Sequence, residues 1–137
     1  LSMIGLVLVA HSADVVRGVV AMVMQAAPDV PVDGAGGLSG GRLGTNGLEV
    51  ADALRRVLKA NGRDGILVLL DLGSASMAVD LALDELDRAD RALIRLTEAP
   101  IVEGAVLAAV AAAGGASVDA VVAAAERART LPKLPRD

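Results

Sequence analysis

"IGLVLVAHSADVV" (residues 4–16) is the stretch on which the fold turns. From Ile4 to Ala10 no side chain is polar, and the pattern then breaks into His-Ser-Ala-Asp. An unbroken apolar run this short reads as a strand buried on both faces, because a half-exposed strand alternates. Ser12 is suited to cap a helix that starts directly after it. His11, the only histidine in the chain, therefore falls where a buried strand turns into a helix.

The same alternation continues outward. Further strand-like runs are "VPVDGA" (30–35), "GILVLLD" (65–71) and "ALIRLT" (92–97). Between them the spacing is helical. In "TNGLEVADALRRVLKANG" (45–62), Leu48, Ala51, Leu54, Val57 and Leu58 predict the buried face, with Thr45 or Asn46 as cap and Gly62 at the end. In "SASMAVDLALDEL" (74–86), Met77, Leu81 and Leu86 predict the buried stripe. "PIVEGAVLAAVAAAGG" (100–115) has proline at its start and glycines at its close, and "SVDAVVAAAERAR" (117–129) predicts a last helix capped by Ser117. The predicted class is α/β: an open, mainly parallel β-sheet with helices on both faces. One domain over residues 3–128 is expected, with 129–137, ending in "LPKLPRD", as a tail or linker, and no internal repeat. The Leu-Ser pair ahead of Met3 reads as a cloning remnant.

Composition narrows the function. The 137 residues carry 13 basic and 17 acidic side chains, a formal charge of -4 that disfavours a nucleic-acid or anionic membrane surface. Phe, Tyr and Trp are absent, so no base or sugar ring can stack on an aromatic face. With no cysteine and one histidine, neither a disulfide framework nor a metal site is expected. The apolar runs are too short and alanine-rich for membrane spans, and no basic segment precedes the first, so no signal peptide is read. A cytoplasmic protein without a bound cofactor is the expectation.

Ligands of open parallel sheets bind at the carboxyl ends of the strands. His11 and Ser12 follow the first strand, and "LLDLGSAS" (69–76) places Asp71 at the tip of the third. A neutral imidazole is a nucleophile, and a carboxylate on one ring nitrogen fixes the tautomer that frees the other. The plainer alternative is a surface histidine at a turn, with Asp71 capping a helix. The second strand runs into "GAGGLSGGRLGTNG" (34–47), which has no lysine for a phosphate-binding P-loop and does not follow the first strand as a dinucleotide fingerprint would. It is either a flexible connection or a set of backbone N–H groups able to approach an anion. Helix starts at Ser12, Thr45 and Ser74 add partial positive charge at the same rim. Neutral donors of this kind would hold a phosphoryl group without trapping it, which suits a carrier. Glu103 reads as a helix-dipole residue, and Arg42 as either a phosphate or partner contact or a solvated loop arginine.

"LVLVAHS" (6–12), "GGRLGT" (40–45), "LVLLDLGSAS" (67–76) and "APIVEGAVLAAV" (99–110), in that order, resemble the mannose-type EIIA domains of the phosphoenolpyruvate-dependent phosphotransferase system (PTS). "DLGSA" and "APIVEG" favour the branch that serves a PTS-dependent dihydroxyacetone kinase, since sugar-transporter members carry a Gly-Gly-Thr/Ser-Pro ending after the Asp. The resemblance covers residues 3–128. It implies a phosphohistidine carrier on an open α/β sheet, usually a homodimer. His11 would be phosphorylated and Asp71 would orient its ring. Ser12, Thr45, Gly73, Ser74 and Ser76 would hold the phosphoryl group. The implied donor is the small carrier HPr and the acceptor is ADP on the kinase subunit DhaL. Two alternatives stand: a transporter component passing phosphate to an EIIB domain, and a non-catalytic interaction module of the same fold. Some members continue into HPr-like and EI-like domains.

Overall fold

The computed structural model describes residues 3–136; Leu1 and Ser2, read above as a cloning remnant, lie outside them, as does Asp137. The elements run β1 (Gly5–Ala10), α1 (Ala13–Ala26), β2 (Val32–Gly36), α2 (Gly47–Ala60), β3 (Ile66–Leu70), α3 (Ser76–Glu85), α4 (Arg88–Arg91), β4 (Ile94–Leu96), α5 (Ile101–Ala113) and α6 (Val118–Glu126). The four strands form one sheet in the order β2-β1-β3-β4, and every pairing is parallel. The α/β sheet with helices on both faces is thus observed, with β4 shorter than its sequence run.

Strand alternation explains the two helical layers. Leu6 and Leu8 of β1 and Leu67 and Leu69 of β3 face a cluster built with α1, α5 and α6. Val7, Val9, Ile66 and Val68 face the opposite cluster, built with α2 and α3. All eight are fully buried, so neither face of the central strands meets water. Each buried leucine contributes about 1.5–3 kcal/mol of transfer free energy. Without aromatic bulk, small residues bring the layers close. The inner face of α5 is Gly104, Ala105, Ala108, Ala109 and Ala112, and a Cβ on Gly104 would lie 3.0 Å from both Ala99 Cβ and Leu69 Cδ2.

Three residues predicted for the core lie outside it. Leu48, Met77 and Leu81 are 62%, 72% and 62% exposed. In α3 the buried stripe is Ala78, Val79 and Ala82, followed by Leu86. That set satisfies helical spacing as well as Met77 and Leu81 do, so periodicity alone does not choose between them. Packing does: Gly47 opens α2 so close to α3 that a Cβ there would meet Leu81 Cβ at 2.7 Å and the Ala78 carbonyl at 3.1 Å. An inward-facing long side chain would hold these two helices apart.

β2 is an edge strand, and its second residue covers that edge. The Asp33 carboxylate accepts the Gly34 N–H at 2.7 Å with one oxygen and Arg56 Nε at 2.6 Å with the other. The hydrogen bond that Arg56 donates to Asp33, reinforced by the carboxylate's charge, holds the Arg56 pKa above its ordinary value despite some burial.

The strand order also fixes where the chain can work. From β1 the chain crosses to β2 on one side, and from β2 it crosses back to β3 on the other. The carboxyl ends of β1 and β3 therefore flank the switch point of the sheet, where helices depart in opposite directions and leave a crevice. His11 follows β1 and Asp71 follows β3.

Candidate functional site

The register brings the two residues together. Val9 pairs with Leu70, and the Asp71 N–H donates to the Val9 carbonyl at 3.1 Å. Asp71 then holds His11 twice. Its Oδ2 accepts the His11 backbone N–H at 2.9 Å, and its two oxygens lie 3.1 and 3.2 Å from His11 Nδ1. Oδ1 also accepts the Leu72 N–H at 2.7 Å. Partial burial alone would raise the Asp71 pKa, but the bonds from the His11 backbone, the His11 ring and Leu72 outweigh it and hold the carboxyl below its ordinary range. The stability this network supplies is present above the ordinary Asp value of about 3.9 and is lost as pH falls through the lower folded value.

An ionised carboxylate accepts only, so Nδ1 carries the proton and Nε2 keeps its lone pair. On that side Ser74 Oγ lies 3.0 Å away and donates its hydroxyl to Nε2. The ring is about a quarter exposed and the Asp71 side chain 17% exposed. Nε2, the nitrogen left free by Asp71, is therefore covered by the Ser74 hydroxyl in a ring that is about a quarter exposed. In this tautomer Nε2 is the ring nitrogen able to act as a nucleophile.

The glycine-rich loop closes the other flank. Gly44 donates its N–H to the His11 carbonyl at 2.8 Å, Gly37 donates to the Gly44 carbonyl at 2.9 Å, and Leu38 donates to the Arg42 carbonyl at 2.7 Å. Gly37 has φ +80°, and a Cβ there would stand 3.1 Å from Ala13 N, so glycine lets the loop lie over the first turn of α1. The loop is a stitched turn, not a loose connection. Arg42 is exposed, and its Nε reaches only the Ser39 carbonyl within the loop.

The other predicted site residues occupy distinct places. Ser12 caps α1, its hydroxyl accepting the Val15 N–H at 3.3 Å. Asn46 caps α2 by accepting from Leu48 and Glu49, with Thr45 between it and Gly44. Gly73 and Ser74 open a 3-10 turn ahead of α3, and a Cβ on Gly73 would meet open space. The Ser76 N–H is occupied by the carbonyls of Gly73 and Ser74, and Ser76 lines a cavity of about 680 Å³ on the β4 side of Asp71, with Thr97 and Glu98. Glu103 stands in the first turn of α5, as the dipole reading expects, and pairs with Lys133 at 3.3 Å. Sequence reading missed the buried Asn61, whose Nδ2 donates to the carbonyls of Met3 and Gly65 and ties the start of β1 to the loop before β3. An asparagine at a helix end carries no signal of such a role.

Removing Ser74 tests how the ring is covered. On a ring substituted at Nε2, the hydroxyl would be released to donate to the group attached there. Loss of one buried donor to a developing anion slows a reaction about 10²–10³-fold, and this exposed one should cost about tenfold. Single-turnover transfer by Ser74→Ala measures it, and an unchanged rate would confine the hydroxyl to the resting ring.

Comparison with known proteins bears directly on this geometry. The family model of the PTS system fructose IIA component (EIIA-man) matches residues 5–122. A relative from Listeria innocua, named PEP-dependent dihydroxyacetone kinase 2, phosphoryl donor subunit DhaM, is 35% identical over 88% of this chain and 94% of its own length. The chain belongs to the DhaM branch of the EIIA-man family. A Klebsiella michiganensis protein named as the phosphoryl donor subunit DhaM is 39% identical over 88% of the chain, which spans only 26% of that relative's length. In structure, the family member resembles the unknown function protein EF1359, with a TM-score of 0.81 and 28% identity over 97% of this chain and all of that one. It also resembles the DegV family protein Cg2579 from Corynebacterium glutamicum, with a TM-score of 0.61 and 26% identity over 90% of this chain and 48% of that one. Among the described residues no helix is long and apolar enough to cross a membrane.

Proposed function

We propose that the chain is a phosphohistidine carrier in which His11 Nε2 accepts a phosphoryl group from HPr and passes it to ADP held on DhaL, driving phosphorylation of dihydroxyacetone. The observation that carries this reading is the polarised ring: Nδ1 is held by Asp71 at 3.1 Å, while Nε2 is left free of it, with the Ser74 hydroxyl at 3.0 Å. In the first step the Nε2 lone pair attacks phosphorus, the bond from phosphorus to the donor's histidine nitrogen breaks, and that nitrogen leaves with the electron pair. The second step reverses the roles, with a terminal oxygen of ADP as nucleophile and Nε2 as leaving group. Asp71 supports the positive charge that the ring acquires while phosphorylated. Ser74, the Ser12 start of α1, Thr45 and the turn at Gly73 supply neutral donors around the group, with Ser76 behind that turn. Within the reading the chain acts as a homodimer. The names of the relatives support the same assignment.

The test is reconstitution with phosphoenolpyruvate, EI and HPr, followed by addition of DhaL–ADP or of a mannose-type EIIB domain. The expected result is an acid-labile, base-stable phosphate on the chain that disappears on addition of DhaL–ADP. Discharge to EIIB alone would place the chain in sugar transport, and no labelling would leave it a non-catalytic module.

A further inference from the structure

The segment "RTLPKLPR" (129–136) carries a pattern that neither the fold nor the site uses. Leu131 and Leu134 are three apart, and so are Pro132 and Pro135. A polyproline II helix turns once every three residues, so in that conformation the leucines form one edge and the prolines a second. Thr130, Lys133 and Arg136 form the third edge, which is polar and cationic. Each proline fixes its own φ near the polyproline II value and turns the leucine before it away from the helical region. Four of the five residues from Leu131 to Pro135 are thereby biased to the extended form, which lowers the ordering cost of being bound.

The structure leaves the segment open. Residues 131–136 lie in neither helix nor strand, and all six are exposed. None of them makes a backbone–backbone hydrogen bond among the described residues. Leu134, at 79%, is the most exposed of the large hydrophobic side chains, and Leu131 is 52% exposed. Among the described residues the polar side-chain tie from this stretch to the domain is the ion pair of Lys133 with Glu103. That tie uses the cationic edge, and the two apolar edges stay in water. Neither this chain nor a second copy can cover them in the usual way. Polyproline II ligands are read by grooves lined with aromatic side chains, and the sequence has no Phe, Tyr or Trp. The border of such a groove has a sign as well. Residues 129–136 hold three cations and no acid. Arg129 and Lys133 already face carboxylates, Glu126 at 3.4 Å and Glu103 at 3.3 Å. These exposed pairs contribute little and can be exchanged for a partner's carboxylates.

We infer that residues 129–136 are a polyproline II recognition segment for another protein, one whose groove is lined by aromatic side chains and bordered by carboxylates. The inference does not rest on the carrier function. Fluorescence tests it on the full chain, because the chain has no tryptophan and every change in tryptophan emission belongs to the groove. The probe is an isolated SH3 domain that takes Pro-x-x-Pro ligands and has tryptophan in its groove. The native chain is expected to shift that emission and to saturate it below about 1 mM. Pro132→Ala/Pro135→Ala and Leu131→Ser/Leu134→Ser should each raise the Kd at least about tenfold, the loss of one anchor. Both variants change only exposed positions and should melt with the native chain. Added salt should weaken the native complex, because the cationic border is screened. No shift with the native chain, or a shift that survives both variants, overturns the recognition segment. Binding that salt abolishes but neither variant weakens would reduce the segment to a charged tail and overturn it too.

Discussion

Replacement of His11 by Ala is expected to abolish phosphate uptake from every donor, protein or small molecule, while the chain still folds. Uptake is lost because no other imidazole exists in the sequence and no cysteine can substitute. Folding survives because the bonds that place residue 11 belong to its backbone. The N–H still reaches Asp71 Oδ2, and the carbonyl still accepts from Gly44. Asp71 keeps two of its donors, the N–H groups of residue 11 and Leu72. The stability cost should be about 1 kcal/mol, a shift of a few degrees in the melt of a domain this size. Labelling with radioactive phosphoenolpyruvate beside a thermal melt separates the two effects. Residual labelling of the Ala variant would mean that phosphate sits elsewhere.

Asp71→Asn should be almost as damaging to transfer and worse for the fold. The two carboxylate oxygens accept different backbone donors, Oδ2 from His11 and Oδ1 from Leu72. An amide offers one oxygen, so in either orientation its NH₂ group opposes a backbone N–H. Such a mispairing costs about 1–3 kcal/mol. In either orientation the NH₂ also lies 3.1 or 3.2 Å from Nδ1, which weakens the preference for a proton there and with it the nucleophilic lone pair on Nε2. The positive charge on the phosphorylated ring loses its counter-charge at the same time. A comparable change in a serine protease triad lowers kcat by about 10⁴, and a loss of about 10³–10⁴ in single-turnover transfer is expected here. A native rate in a destabilised variant would reduce Asp71 to a tie between strand ends.

Much of this site is legible in the sequence because it depends on where strands end. Ile4–Ala10 and Gly65–Asp71 are short apolar runs, parallel pairing aligns their tips, and the switch point does the rest. Side-chain type and place at a strand end were sufficient to pair His11 with Asp71, whereas the position of Ser74 on Nε2 is seen only in the structure. What escaped notice lies in the backbone or in a choice of size. The bond from Gly44 to the His11 carbonyl leaves no trace in residue types, so the glycine-rich loop reads equally well as slack chain. Thr45 and Asn46 are both good caps, and only the path of the loop selects Asn46. Leu48, Met77 and Leu81 fit a core stripe by spacing, but α2 and α3 meet through glycine and alanine, which pushes the longer side chains to the rim.

The turned-back carboxylate of Asp33 has a wider consequence. More than half of the residues are apolar, and the sheet has two open margins. At β4 the margin is three residues long, too short to template much. At β2 it is five, and Asp33 occupies the Gly34 N–H while anchoring a guanidinium beside it. A foreign strand pairing along that margin would have to displace a charge pair to complete its ladder. Edge-to-edge growth of this apolar sheet is thereby opposed at the longer of its two starting points.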